Sequence, residues 1–205
     1  MRPFPVGYTN TLEEGYFIMT DDKPQRQKTP AIYRCAYPAP YPEVQVAAPN
    51  PYHARLLLED YAGQISELSA INQYVYHHVV LEPEFREVAD LLECIALVEM
   101  HHLEILAETI LMLGVDPRYR TIEENNMEQY WNAVFVYYGS SLCDRLTADI
   151  ASEWAAVANY RRHQQMINDP YIKNILERII LDELNHIVLF NQMADQYCRP
   201  QLQRE

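Results

Sequence analysis

The sequence predicts an all-α protein, an antiparallel four-helix bundle with one long crossover behind an extended N-terminal arm. Three observations carry this. Nine of the 13 prolines lie in residues 1–51, many beside tyrosine as in IYRCAYPAPYPEVQ, and such a segment favours extended backbone over helix. After residue 50 the chain turns to long helical periodicity, with proline at a first-turn position in Asn50-Pro51, Glu82-Pro83 and Asp169-Pro170. Only five glycines occur in 205 residues, too few for the tight turns of a many-stranded sheet.

These signals place helices at about 51–80, 83–113, 141–167 and 170–197. Ser141 and Asp144 resemble a capping box at the start of the third, and Gly114 stands where a C-terminal cap ends the second. The expected organisation is an arm over 1–50, a bundle over 51–198 and a tail over 199–205. Short links make two antiparallel hairpins. The roughly 27 residues of 114–140 between them are what a long crossover requires. Within that crossover, EQYWNAVFVYY reads either as a short helix or as an extended strap.

A net charge of -13 without a basic patch repels phosphate backbones and anionic headgroups, so neither nucleic acid nor a membrane is an expected partner. The N-terminus lacks a basic segment followed by an apolar one, and no uncharged apolar run reaches a membrane span. The expected location is cytoplasmic. The four cysteines, Cys35, Cys94, Cys143 and Cys198, are scattered without a C-x-x-C and are expected as reduced thiols.

The chemistry lies in an internal repeat. QISELSAINQYVYH, residues 64–77, aligns without gaps to IASEWAAVANYRRH, residues 150–163. Glu67 falls on Glu153, Tyr74 on Tyr160 and His77 on His163. Likewise LLECIALVEMHHLEIL (91–106) aligns to ILERIILDELNHIVLF (175–190), setting Glu99 on Glu183 and His102 on His186. Each copy thus carries a lone Glu on its first helix and a Glu-x-x-His on its second, whose i, i+3 spacing points both side chains one way. His101 lies about 200° round the helix from Glu99 and should face outward.

With helices of these lengths, the four glutamates fall near mid-helix and should meet at one level of the core. Each buried ion costs several kcal/mol even after relaxation, so four carboxylates there demand cations. Two divalent ions balance the four negative charges, with His102 and His186 completing the shells. One Glu from each of two helices and Glu-x-x-His from the other two is the carboxylate dimetal pattern of helical bundles.

Over residues 50–198 the chain resembles the ferritin-like dinuclear metal carboxylate superfamily of ferritins, bacterioferritins, rubrerythrins and manganese catalases. The resemblance implies Glu99 and Glu183 as bridging or chelating ligands, Glu67 and Glu153 as terminal carboxylates, and His102 and His186 as one ligand to each metal. Asp182 is expected to accept the outer N–H of His102. Tyr74 and Tyr160, seven residues beyond the lone glutamates, lie on the same face and are expected to hydrogen-bond ligands or to serve as core tyrosines. His53, His77, His78, His101 and His163 read as surface or supporting residues rather than ligands.

The implied function is a dimetal oxidoreductase acting on O2 or H2O2 in the ferroxidase or peroxidase manner, with an unidentified electron donor and a homo-oligomeric assembly. Disproportionation of H2O2 by a manganese pair, and an iron-storage or structural bundle without turnover, are the alternatives. The N/O ligand set suits iron or manganese. Two iron ions are the first expectation and two manganese ions the second, because the second Glu-x-x-His resembles ferritins better than catalases. The stretch YPEVQVAAPNPYHARLLLEDYAGQISELSAINQY resembles manganese catalases of the spore-coat type, which adds spore association as a second location. Unlike rubrerythrins, the chain has no C-x-x-C segment and carries Ala156 where they have a further glutamate.

Overall fold

The computed structural model describes residues 35–123 and 125–199. Its elements are α1 (Pro51–Ala62), α2 (Glu67–Leu81), α3 (Arg86–Met112), β1 (Arg120–Ile122), β2 (Glu128–Tyr130), α4 (Leu142–Met166) and α5 (Pro170–Tyr197). α2 packs on α3 and α4 on α5 as the two hairpins of an antiparallel bundle, and the crossover joins them.

Most helix starts follow their capping chemistry. The Asn50 side chain accepts the N–H groups of Tyr52 and His53 ahead of Pro51, and Asp169 does the same for Tyr171 and Ile172 ahead of Pro170. Ser141 accepts the N–H of Asp144, whose carboxylate turns back to the Ser140 N–H at 2.7 Å. At the end of α3, Gly114 takes a φ of 90°, and Val115 N–H bonds Ile110 O while Gly114 N–H bonds Leu111 O, the paired bonds of a Schellman motif.

Two helix expectations need correction. Residues 51–80 do not form one helix: α1 stops at Ala62 and α2 starts at Glu67. Gly63 donates to Glu59 O so closely that a Cβ there would lie 2.5 Å from that oxygen, and Ser66 caps α2 by accepting Ser69 N–H while donating to Gly63 O. Glu67 therefore sits in the first turn of a helix rather than mid-helix, where the positive end of the dipole favours a carboxylate. Pro83 belongs to the turn between α2 and α3, and α3 begins at Arg86 with no side-chain cap from Phe85.

The crossover is neither simply helix nor strap. It forms a small antiparallel hairpin, Arg120 opposite Tyr130, followed by a single 3-10 turn at Ala133–Phe135. It runs along α2, with Trp131 Nε1 donating to Ser69 Oγ at 3.0 Å and Tyr137 N–H to Gln73 Oε1 at 2.9 Å.

The core is two apolar clusters. One gathers α1, the C-terminal half of α3 and the N-terminal half of α5 around Leu57, Leu106 and Ile179. The other gathers the far ends around Leu91, Ile95, Leu146 and Phe190. The expected arm falls partly outside the described residues, but 35–49 lie against the bundle: Tyr41, Val44 and Val46 pack on the first cluster, and Ala47 N–H bonds Asp169 Oδ2 at 2.7 Å. Most of the expected tail, residues 200–205, also lies outside them.

The cysteines are not reduced thiols. Cys35 pairs with Cys94, fastening the arm to α3, and Cys143 pairs with Cys198, joining the start of α4 to the end of α5, with Cα separations of 6.0 and 5.5 Å. Spacing alone did not show this, because each partner lies more than 50 residues away and only the folded bundle brings the pair together. Among the described residues no helix is long and apolar enough to cross a membrane.

Candidate metal centre

Between the two apolar clusters lies a polar layer. Glu67, Glu99, His102, Glu153, Glu183 and His186 are each at most 3% exposed. One ligand atom from each of Glu67, Glu99, His102 and Glu183 lies within 4.8 Å of the others, and the same holds for Glu99, Glu153, Glu183 and His186. The structure thus brings all six sequence-selected residues into two overlapping groups that share Glu99 and Glu183.

Ring orientation is the same in both groups. His102 Nδ1 faces Glu99 at 2.8 Å, Glu183 at 3.3 Å and Glu67 at 3.6 Å. His186 Nδ1 faces Glu99 at 2.9 Å, Glu183 at 3.3 Å and Glu153 at 3.7 Å. The lone glutamates are held crosswise: Tyr74 OH donates to Glu153 Oε1 at 2.5 Å, and Tyr160 OH donates to Glu67 Oε1. Each tyrosine thus supports the carboxylate of the other repeat.

Such a layer is electrostatically unbalanced on its own. Burial, together with the neighbouring Glu99 charge, pushes Glu67 well above the usual carboxylate range, and burial with Glu183 and Glu99 does the same to Glu153. Burial opposes charge on His102 and His186 too, yet the surrounding carboxylates raise both well above an ordinary histidine. Glu99 Oε1 and Glu183 Oε1 are buried and form no well-aligned hydrogen bond; what they face is the Nδ1 of His186 at 2.9 Å and of His102 at 3.3 Å. Buried carboxylate oxygens turned toward histidine nitrogens, an N/O donor set and a shortage of positive charge fit a pair of iron or manganese ions.

The comparisons point the same way. A family model described as manganese containing catalase matches residues 41–128. The bacterioferritin of Mycobacterium leprae is 30% identical over 126 residues, covering 60% of this chain and 72% of that protein. The chain belongs to the ferritin-like dinuclear metal carboxylate superfamily. A probable manganese catalase of Clostridium acetobutylicum is 27% identical over 167 residues, 73% of each chain. The crystal structure of KatB, a manganese catalase from Anabaena, superposes with a TM-score of 0.66 at 24% identity, covering 82% of this chain and 85% of that one, a likeness of fold.

Within this ferritin-like centre the remaining selected residues take distinct places. Asp182 accepts from His102 Nε2 at 2.9 Å. His101 faces outward and pairs loosely with Glu104 at 3.8 Å. His77 and His163 are fully buried in their own carboxylate contacts, and His53 is buried as well, so of the surface-or-supporting expectation only the supporting alternative remains for these three.

Sequence reasoning missed what surrounds Asp182. Tyr41 OH donates to its Oδ2 at 2.5 Å, Tyr37 N–H to its Oδ1 at 2.6 Å, and Arg178 NH1 pairs with Oδ2 at 2.6 Å. The Arg178 guanidinium also lies 3.9 Å from the Tyr41 ring centroid and donates to the carbonyls of Tyr37 and Ala39. Burial resists the charge on Asp182, but the His102 and Arg178 hydrogen bonds bring its pKa down to about 2. Arg178 lies four residues before Asp182 on α5, an i, i+4 pair visible in the sequence; the arm contacts carried no such signal.

A cavity reaches this layer from outside. It has a volume of about 50 Å3 and is bounded by Gln64, Ile65 and Ser66 of the helix break, by Phe135 of the crossover, and by Glu67, Glu99, Glu153 and Glu183 at its inner end. That is room for on the order of three or four water-sized molecules. The interrupted first helix supplies part of the cavity wall.

Proposed function

We propose that this chain is a peroxide-consuming dimetal oxidoreductase of the catalase type, converting two H2O2 into two H2O and O2 with a pair of manganese ions, or of iron ions, as cofactor. The observation that carries this reading is the pair of four-residue groups sharing Glu99 and Glu183 at the inner end of a cavity sized for peroxide. The catalase family model, which covers the last ten residues of the arm, the broken helix and α3, favours manganese and peroxide over the iron-first expectation.

Glu67, Glu99, His102 and Glu183 would hold one ion, and Glu99, Glu153, Glu183 and His186 the other. When bound, the pair would supply and take back the two electrons exchanged between one peroxide and the next. His102 donates its Nε2 proton to Asp182, which fixes the tautomer and leaves the Nδ1 lone pair facing the layer. Tyr74 and Tyr160 restrain Glu153 and Glu67, so neither terminal carboxylate swings away. A cavity of about 50 Å3 has room for peroxide or dioxygen.

A ferroxidase reading is favoured by one observation, the bacterioferritin relative with its 30% identity. It carries an expectation of a large homo-oligomeric shell. Full-length protein loaded with manganese or iron separates the two. Oxygen evolution from peroxide without a donor supports the catalase reading, and peroxide loss only with a donor supports a peroxidase. Oxygen uptake driven by ferrous ion in a particle of shell-like mass by light scattering supports ferroxidase. A chain carrying two metals per protomer that does none of these is not an oxidoreductase of this kind.

A further inference from the structure

A second group of buried titratable side chains borders the same cavity and has no part in the site above. Asp60, near the end of α1, is 2% exposed, and His163, in the last turn of α4, is fully buried. His163 Nδ1 lies 2.6 Å from Asp60 Oδ2, and its Nε2 approaches Glu59 Oε2, on the solvent side, at 3.3 Å. Both ring nitrogens face carboxylates: Nδ1 hydrogen-bonds Asp60, and Nε2 stands within ion-pair distance of Glu59 without a formed hydrogen bond, an arrangement that favours the doubly protonated ring. His163 engages Asp60 through Oδ2, and Asp60 lines the cavity together with Glu67 and Tyr160.

The matching pair in the first repeat behaves differently. His77 Nδ1 meets Asp149 Oδ2 at 3.0 Å, but Gln73 Nε2 donates to Asp149 Oδ1 at 2.8 Å, and it is the Gln73 amide, not Asp149, that lines the cavity. Of these two repeat-related His–Asp pairs, only the one containing Asp60 offers a carboxyl to whatever enters.

We propose, resting on the peroxide reading above, that Asp60 is the acid–base group of this cavity and that His163 is the positioning residue that holds it. In disproportionation, one H2O2 loses both O–H protons and two electrons to become O2. The other has its O–O bond broken and takes up two electrons and two protons to become two H2O. Asp60 takes one of the two protons released by the first and returns it to the second, while the other is released to solvent and regained from it through the cavity. The protonation states suit this role. Burial pushes Asp60 up to about 6, while His163, despite its burial, is raised to about 9 by the Asp60 and Glu59 carboxylates it faces. The charged groups facing the pair are Glu59 and Arg162 on the solvent side and, in the cavity, Glu67, Glu99, Glu153 and Glu183.

The test uses the full-length, metal-loaded protein. D60N keeps an acceptor for His163 and the same volume. It should retain two metals per chain while kcat for oxygen evolution falls roughly 100-fold and the acid limb of the pH profile disappears. D60E, which can still exchange a proton, should recover most of the loss, and H163Q should shift the acid limb rather than abolish it. In the metal-free wild type, difference infrared spectra should show a protonated carboxyl band titrating near pH 6 that is missing in D60N. Equal losses in D60E and D60N, or a D60N profile identical to wild type at full metal content, overturn the proposal. If loaded wild type consumes no peroxide, the catalase reading fails by itself. The infrared band then decides for Asp60: its presence supports a proton-exchanging carboxyl, and its absence overturns it.

Discussion

The two copies of the repeat agree at the ligands and part company just behind them. In the first copy, His102 Nε2 bonds Asp182, which is itself held by Tyr41, Tyr37 and Arg178. In the second, His186 Nε2 is buried and has no hydrogen-bond partner among the described residues; Val98, in the place equivalent to Asp182, offers no acceptor. A carboxylate behind a ligand histidine raises its basicity and fixes its ring. The two proposed ion positions are therefore inequivalent: the His102 side is braced by α5 and the arm, and the His186 side is left to its proposed ligands.

The largest effect should come from abolishing the comparison altogether. Glu99 belongs to both four-residue groups, so Glu99→Ala should reduce bound metal from two ions per chain to almost none, read by elemental analysis after dialysis. Asp182→Asn should erase it, weakening the ion on the His102 side by about 10- to 100-fold and leaving the other nearly unchanged. Competitive titration would show the two separated binding phases of the wild type drawn together in the variant; parallel weakening of both would contradict the inequivalence.

Next comes the outer layer, where the repeats again differ. The folded pKa of His163 is raised from 6.5 to about 9, so its contribution to stability is complete below pH 6.5 and is lost as pH rises through 9. His163→Gln should cost on the order of 1 to 3 kcal/mol near neutral pH. The gap from wild type should shrink by pH 10, as followed by urea unfolding. A gap constant with pH would mean that the ring is held by packing alone. Smallest is Tyr41→Phe, which removes one hydrogen bond to Asp182 worth about 1 kcal/mol. Metal affinity on the His102 side should fall only a few-fold.

Much of the centre was legible because duplication supplies its own control. Glu67 and Glu153 have different neighbours but the same spacing to Tyr74 and Tyr160, and that shared spacing separates chemistry from packing. The helix break at 63–66 was not legible, since one glycine inside a helical pattern is tolerated, and the Gly63 and Ser66 interactions that end one helix and cap the next appear only in three dimensions. Tyr41 was hidden for a similar reason. It stands in a stretch rich in tyrosine and proline, and the periodicity that marks a helix face has no counterpart in extended backbone that hydrogen-bonds to a distant carboxylate. The disulfides and the Asp60–His163 pair likewise join residues far apart in the chain.

Anomalous diffraction from crystals of the full chain soaked in manganese, with data collected on both sides of the manganese edge, tests the account most directly. Two peaks should appear in the polar layer, one among Glu67, Glu99, His102 and Glu183 and one among Glu99, Glu153, Glu183 and His186. A single peak, or manganese bound only at surface carboxylates while this layer stays metal-free, would contradict it.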